Sequence, residues 1–317
     1  MKVIDQLKNA TKTQFSFEVL PPLKGGNINS IYRAIDPLIE FNPININVTY
    51  HQQEVVYKKL ENGLLEKRTI RKRPGSVAIA AAIKFKYKVT VVPHIICGGF
   101  DRDETEDTLI DFNFLGMNNL LALRGDPPKS VRSFIPEENG HAHTTELVKQ
   151  IKNMNRGIYL DEKLENPTPT DFCVGVAGYP EKHYEAPNME NDLLHLKEKV
   201  DAGADYIVTQ MFFNNKYFFE FVEKCRKMGI TVPIIPGIKP IMTLKDISVL
   251  PKIFSIEIPE ALVKEVEKCK TNQEAWQVGI EWTIQQSKEL AQYGVPAIHY
   301  YTYGTSENIK EIAKAVF

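Results

Sequence analysis

Cysteine is scarce in this 317-residue chain: four residues, Cys97, Cys173, Cys225 and Cys269, lie far apart and form no CxxC pair. That spacing argues against a disulfide framework or a zinc site and fits reduced thiols. No apolar run reaches the roughly 20 residues of a membrane span, and the opening MKVIDQLKNA lacks the apolar core of a signal peptide. A cytoplasmic protein with no membrane partner is therefore expected. Neither sign of charge is in excess, with 39 Lys and Arg against 40 Asp and Glu, so there is no general reason to expect nucleic-acid binding. The histidines lack ligand spacing, and no metal centre is expected. Low-complexity segments and obvious linkers are also missing.

What is present is an ordinary composition, 43% hydrophobic and 25% charged, with a repeated alternation of short apolar segments and helical patterns. The segments are FSFEVL (15 to 20), INVTY (46 to 50), TVVPHIIC (90 to 97), LLALRGD (120 to 126), FCVGVAGYP (172 to 180), DYIVTQMFF (205 to 213), VPIIPGI (232 to 238) and AIHYYTY (297 to 303). Apolar stripes between them, such as Ile28, Ile31, Ile35 and Leu38, or Phe218, Phe221, Val222 and Cys225, suit helices that cover a sheet. Near-continuous apolar strands alternating with amphipathic helices predict a parallel sheet. Eight units in a chain of this length predict an α/β fold, a closed (β/α)8 TIM barrel forming a single domain over residues 1 to 317. The alternative is an open doubly wound sheet, but no GxGxxG opens the first helix. Residues 251 to 296 carry two more helical patterns, read as extra helices before the last strand.

One strand raises a chemical question. In FSFEVLPP, alternation puts Phe15, Phe17 and Val19 on one face and Ser16, Glu18 and Leu20 on the other. A buried carboxylate costs several kcal/mol unless paired, or else keeps its proton at neutral pH. Glu18 is thus at a rim, in a salt bridge, or working. Other polar residues also collect at the carboxyl ends of the predicted strands, where a barrel places its active site. They are Thr49 and Tyr50, His94, Arg124 and Asp126, Tyr179 with Glu181 and His183, Gln210, and Tyr301 and Tyr303. Each has a plainer reading: His94 as a bonded core histidine, LRGDPP as a turn, YPEKH as loop surface. The basic stretch EKRTIRKRPG (66 to 75) reads as a solvated loop or helix face. Convergence on one pocket favours function.

These residues together resemble the methylenetetrahydrofolate reductase family, nearly end to end. The marks are FEVLPP, VTY (48 to 50), PHIIC (93 to 97), ALRGDPP (122 to 128), GYPEKHYEA (178 to 186), LKEKVDAGADYIVTQMFF (196 to 213) and PGIKP (236 to 240). The resemblance implies an FAD-dependent oxidoreductase of one-carbon metabolism. It would reduce 5,10-methylenetetrahydrofolate to 5-methyltetrahydrofolate with NADH or NADPH, by ping-pong hydride transfer. It further implies that Thr49, Tyr50, His94, Arg124, Gly125, Asp126, Tyr179, His183, Ala186, Asp192, His195 and Lys199 bind cofactor, with Thr49 at the nicotinamide. Glu18 and Asp126 would be catalytic, and Glu18, Asp126 and Gln210 would meet the folate, Glu18 as the acid that protonates N10. Partners would be small molecules, with a homo-oligomer left open. The chain departs from the pattern at His143, where some relatives have tyrosine. It departs again at Thr305, where an arginine could hold the folate glutamate; a base from residues 66 to 73 is the expected substitute. A long insert follows VTY, and a C-terminal regulatory domain is not expected. Rival readings are a flavin-free barrel enzyme, such as a pterin-dependent methyltransferase or an aldolase, and a catalytically silent scaffold.

Overall fold

A computed structural model describes residues 1 to 127 and 133 to 317; Pro128, the last residue of ALRGDPP, lies outside them. The strands are β1 Gln14–Val19, β2 Asn45–Val48, β3 Glu54–Lys59, β4 Leu65–Ile70, β5 Val91–Ile96, β6 Asn119–Leu123, β7 Cys173–Gly178, β8 Tyr206–Thr209, β9 Ile234–Ile235, β10 Gly237–Ile238 and β11 Ala297–Tyr301. The helices are α1 Val3–Lys8, α2 Asn29–Ile35, α3 Ser76–Tyr87, α4 Arg102–Phe114, α5 Thr144–Met154, α6 Met189–Asp201, α7 Asn215–Lys227, α8 Asp246–Phe254, α9 Glu260–Lys268, α10 Asn272–Tyr293 and α11 Glu307–Val316. None of the described helices is long and apolar enough to cross a membrane.

Nine strands form one parallel sheet in the order β10-β11-β1-β2-β5-β6-β7-β8-β9. Its two ends, β9 and β10, are separated only by Pro236, so they are halves of one stave and the sheet closes as the expected eight-staved barrel. Proline has no N–H for the ladder, which explains why the seventh stave is split. The predicted strands run longer than the observed ones: residues 49 to 50, 124 to 126 and 210 to 213 are loops at the carboxyl ends.

Alternation sorts the side chains as the opening strand foretells. Phe15, Phe17 and Val19 pack outward with Ile31, Ile35 and Leu38 in the main core between sheet and helices. Inward residues Val92, Leu121, Cys173, Tyr206 and Ile235 make a second cluster inside the barrel. The unanticipated helix α1 plugs that cluster from the amino end through Val3 and Leu7, and Val3 N donates to Asn119 Oδ1 at 2.7 Å. One end is thus sealed and the other left open.

The end signals of two helices hold. Asp101 and Glu104 form a reciprocal capping box on α4, and Gly229 ends α7 with φ +75°. Helices α9 and α10 are the two expected between residues 251 and 296; α8, which starts earlier, joins them in a satellite core with Met211 and Phe213. Residues 66 to 70, read as a loop or helix face, are instead most of β4, paired antiparallel with β3. Three consecutive charges, Glu66, Lys67 and Arg68, put charge on both faces of the strand, which suits a largely exposed hairpin.

Candidate active site

The open end of the barrel holds a cleft of about 780 Å³. Glu18 projects into it from β1, in register with Asn47 on β2 and Tyr301 on β11. No cation or hydrogen-bond donor among the described residues offsets its charge, and burial alone pushes its carboxyl up to about 8. At neutral pH it is therefore an acid carrying its proton. Around it the inward positions are polar and paired. Ser16 Oγ lies 2.9 Å from His299 Nδ1, Asn45 Nδ2 donates to Asn47 Oδ1 at 2.6 Å, and Asn47 Nδ2 lies 3.3 Å from His94 Nε2. Burial holds both imidazoles near 3, so they are neutral and offer Glu18 no counter-charge.

Thr49 and Tyr50 follow β2 into the cleft wall. Thr49 is buried with its hydroxyl 3.5 Å from Val19 O, and Tyr50 Oη accepts from Arg71 Nη2 at 3.0 Å. Gly125 takes φ +87°, and a Cβ there would stand 3.0 Å from Ile96 Cδ1, so the turn after β6 calls for glycine. This turn presents Arg124 to the cleft and leaves Asp126 exposed at the rim, where its backbone carbonyl accepts from Gln52 Nε2. Arg124 pairs with Glu185 at 2.6 Å and lies over the Phe134 ring at 5.2 Å.

The third wall comes from the β7–α6 connection. Tyr179 meets His183 edge to face at 4.7 Å, and His183 N donates to the buried Asp192 at 3.0 Å. Ala186 and His195 line the same wall. Lys199 Nζ donates to Ala177 O at 2.6 Å and lies 6.0 Å from the centre of the Tyr179 ring; burial, chiefly, lowers the ammonium to about 8, with Asp192 opposing and Arg124 adding to the shift. Gln210, just past β8, hydrogen-bonds Gly178 O through its N–H and accepts from Met211 N through Oε1.

Every residue expected at the site on resemblance lines this one cleft. Glu181 does not: its carboxylate accepts from Glu257 N at 2.6 Å, away from the opening, because the turn after Pro180 directs it toward the loop following α8. Thr305 is also turned elsewhere, donating to Glu307 at the start of α11. Sequence reasoning missed His51, Gln52, Glu185, Glu198 and His299 in the lining. For His299 a signal existed, since it is two residues before Tyr301 on β11 and shares its inward side. His51, Gln52 and Glu185 sit on loops without periodicity, and Glu198 is a charged position on α6 with nothing local to single it out.

Comparisons with known proteins bear on this arrangement. Residues 3–316 match the family model described as methylenetetrahydrofolate reductase. A protein of Arabidopsis thaliana named methylenetetrahydrofolate reductase (NADH) 1 is 31% identical over 321 residues, covering 97% of this chain and 49% of its own length. A Caenorhabditis elegans protein named probable methylenetetrahydrofolate reductase (NADPH) is 30% identical over 315 residues, covering 99% of this chain and 43% of its own. The chain thus spans about half the length of these two relatives. Among solved structures, an uncharacterized protein from Clostridium thermocellum, described as binding two copies of 5-methyl-5,6,7,8-tetrahydrofolic acid, shares the fold. Its TM-score is 0.59 at 15% identity, over 99% of this chain and 98% of that one. A match from residue 3 to 316, over a barrel whose open end gathers the residues of the family's motifs, shows that the chain belongs to the methylenetetrahydrofolate reductase family.

Proposed function

We propose that this chain reduces 5,10-methylenetetrahydrofolate to 5-methyltetrahydrofolate at the cleft, with FAD bound there and NADH or NADPH as hydride donor. The observation that carries the reading is Glu18: a carboxyl with no counter-charge among the described residues, kept protonated by burial and facing the cleft at the open end of the barrel. The folate's bridging carbon lies in a five-membered ring, and a proton delivered to N10 helps open that ring to the iminium that accepts hydride. A buried acid with a raised pKa suits the task.

The donor set fits FAD. Arg124, His183 and Lys199 lie in one wall, and Lys199 has no carboxylate within salt-bridge distance among the described residues. An anion there would give Lys199 the counter-charge it lacks, with Arg124 and His183 as further donors, which suits a diphosphate held by separate side chains where no glycine-rich loop exists. When bound, FAD supplies two-electron hydride chemistry between nicotinamide and folate. Tyr179, Asp192 and Lys199 orient and hold it, and Asp126 and Gln210 meet the pterin at the rim. For the glutamate tail the cation is Arg73. It lines a second cavity of about 210 Å³ beside the end of β1, together with Thr302 and Gly304, and has no carboxylate partner among the described residues.

The test is anaerobic. Purified protein is mixed with each nicotinamide and then with methylenetetrahydrofolate, following flavin absorbance at about 450 nm. Bleaching by NADH or NADPH and recovery with folate is the expected result. A colourless protein that takes up no FAD would sink the reading and favour a flavin-free barrel enzyme.

A further inference from the structure

The ion pair between Arg124 and Glu185 lies in the lining of the cleft. Arg124 is thereby neutralised from within the chain at the place where the cofactor reading needs a free cation. Glu185 Oε1 also accepts from Tyr184 Oη at 2.8 Å, and the two contacts hold its carboxylate below the usual range, Arg124 more than Tyr184.

We propose that Glu185 is a resident anion: its carboxylate occupies the position on Arg124 that the diphosphate of FAD takes, and cofactor loading requires Glu185 to swing aside. The inference rests on the FAD reading and adds a control of that site by the chain's own side chain.

The geometry provides for such a swing. The backbone on both sides of Glu185 is tied. Lys182 Nζ donates to His183 O at 3.1 Å and Ala186 O at 2.7 Å, and Ala186 N donates to His183 O at 3.1 Å. His183 N is fixed on Asp192 at 3.0 Å. Main-chain movement is thus unnecessary, while the Glu185 side chain, 35% exposed, can leave by rotation into solvent. Arg124 keeps a second support when this happens, the Phe134 ring at 5.2 Å. Asp192, the other acid of this wall, could not move in the same way, since it is buried and already bonded to a peptide N–H. A carboxylate and a diphosphate at one guanidinium repel each other strongly in a partly desolvated cleft, so the movable anion gives way.

The experiment titrates flavin-stripped protein with FAD, reading flavin fluorescence and the FAD-induced rise in Tm. Relative to the parent, Glu185→Gln is expected to lower the Kd for FAD about three- to tenfold, because a half-exposed charge pair no longer competes. The FAD-induced rise in Tm should be larger in the variant. The shorter Glu185→Asp, which cannot reach Arg124, should shift Kd in the same direction and guards against misfolding of the first variant. In an Arg124→Met background, Glu185→Gln should leave Kd unchanged. A Kd unchanged or raised by Glu185→Gln in the parent background would overturn the proposal and make Glu185 a clamp that positions Arg124. A parent that binds no FAD would overturn the FAD reading, and this inference with it.

Discussion

Glu18 is the residue on which function and stability pull in opposite directions. If it delivers the proton to N10, Glu18→Gln must separate the two half-reactions. Flavin reduction by nicotinamide needs no acid there and should survive. Reoxidation by methylenetetrahydrofolate should fall by roughly 10²- to 10⁴-fold, as for a lost general acid. A pair of stopped-flow traces checks this, and equal slowing of both halves would remove Glu18 from the role. The same carboxyl predicts a pH effect on folding. Its ordinary value of 4.5 is raised to about 8, so the folded chain keeps a proton that the unfolded chain releases. Its contribution is full below about 4.5 and is lost as pH rises toward 8, at about 1.4 kcal/mol per pH unit at most. Glu18→Gln has no such loss, so in urea titrations its stability relative to the parent should grow between pH 5 and 8 by up to a few kcal/mol. A difference that stays constant with pH would contradict the assignment. Glu18 was legible in the sequence because a charge in a strand fit for burial on both faces calls for a partner or a task. Glu185 was not, because its meaning depends on Arg124, 61 positions earlier, and no local pattern reports that distance.

At the scale of elements, the barrel staves were readable and their embellishments less so. Apolar runs bounded by Pro and Gly located all eight staves, since burial on both faces leaves a strong compositional trace. The β3–β4 hairpin left none: Tyr57, Leu64 and Leu65 are largely exposed, and the charges run together without a buried face to set a period. Helix α1 is too short for a helical stripe to be recognised, and only its partners inside the barrel give Val3 and Leu7 their role. The segment joining the hairpin to α3 brings in Arg73 as the proposed holder of the glutamate tail. Arg73→Met should raise the KM for methylenetetrahydrofolate about tenfold and leave flavin reduction by nicotinamide within twofold, as for loss of one charge-assisted contact. Assaying an analogue without glutamate gives the decisive comparison: its KM should not change in the variant. If both substrates lose equally, Arg73 supports the loop and not the tail.

For the whole molecule, sealing one barrel end and opening the other leaves a single mouth for two substrates. Nicotinamide and folate should therefore alternate, and steady-state double-reciprocal plots should be parallel; intersecting lines that demand a ternary complex would contradict shared use of the mouth. The split stave has a different consequence, for how the barrel comes apart. β9 and β10 each share two register pairs with their neighbours, whereas β1 and β11 share five. Gly237 is so tightly enclosed that a Cβ would stand 2.2 Å from Thr209 O, leaving no side chain to reinforce the join. Helices α8 to α10, which follow, have their own cluster of buried residues. Local openings start where ladder bonds are fewest and propagate through units that share a core. In hydrogen exchange under native conditions, amides of residues 234 to 238 should lose protection before those of β1, β2 and β5, together with α8 and α9, so that the proline that completes the ring also marks the seam along which it unzips.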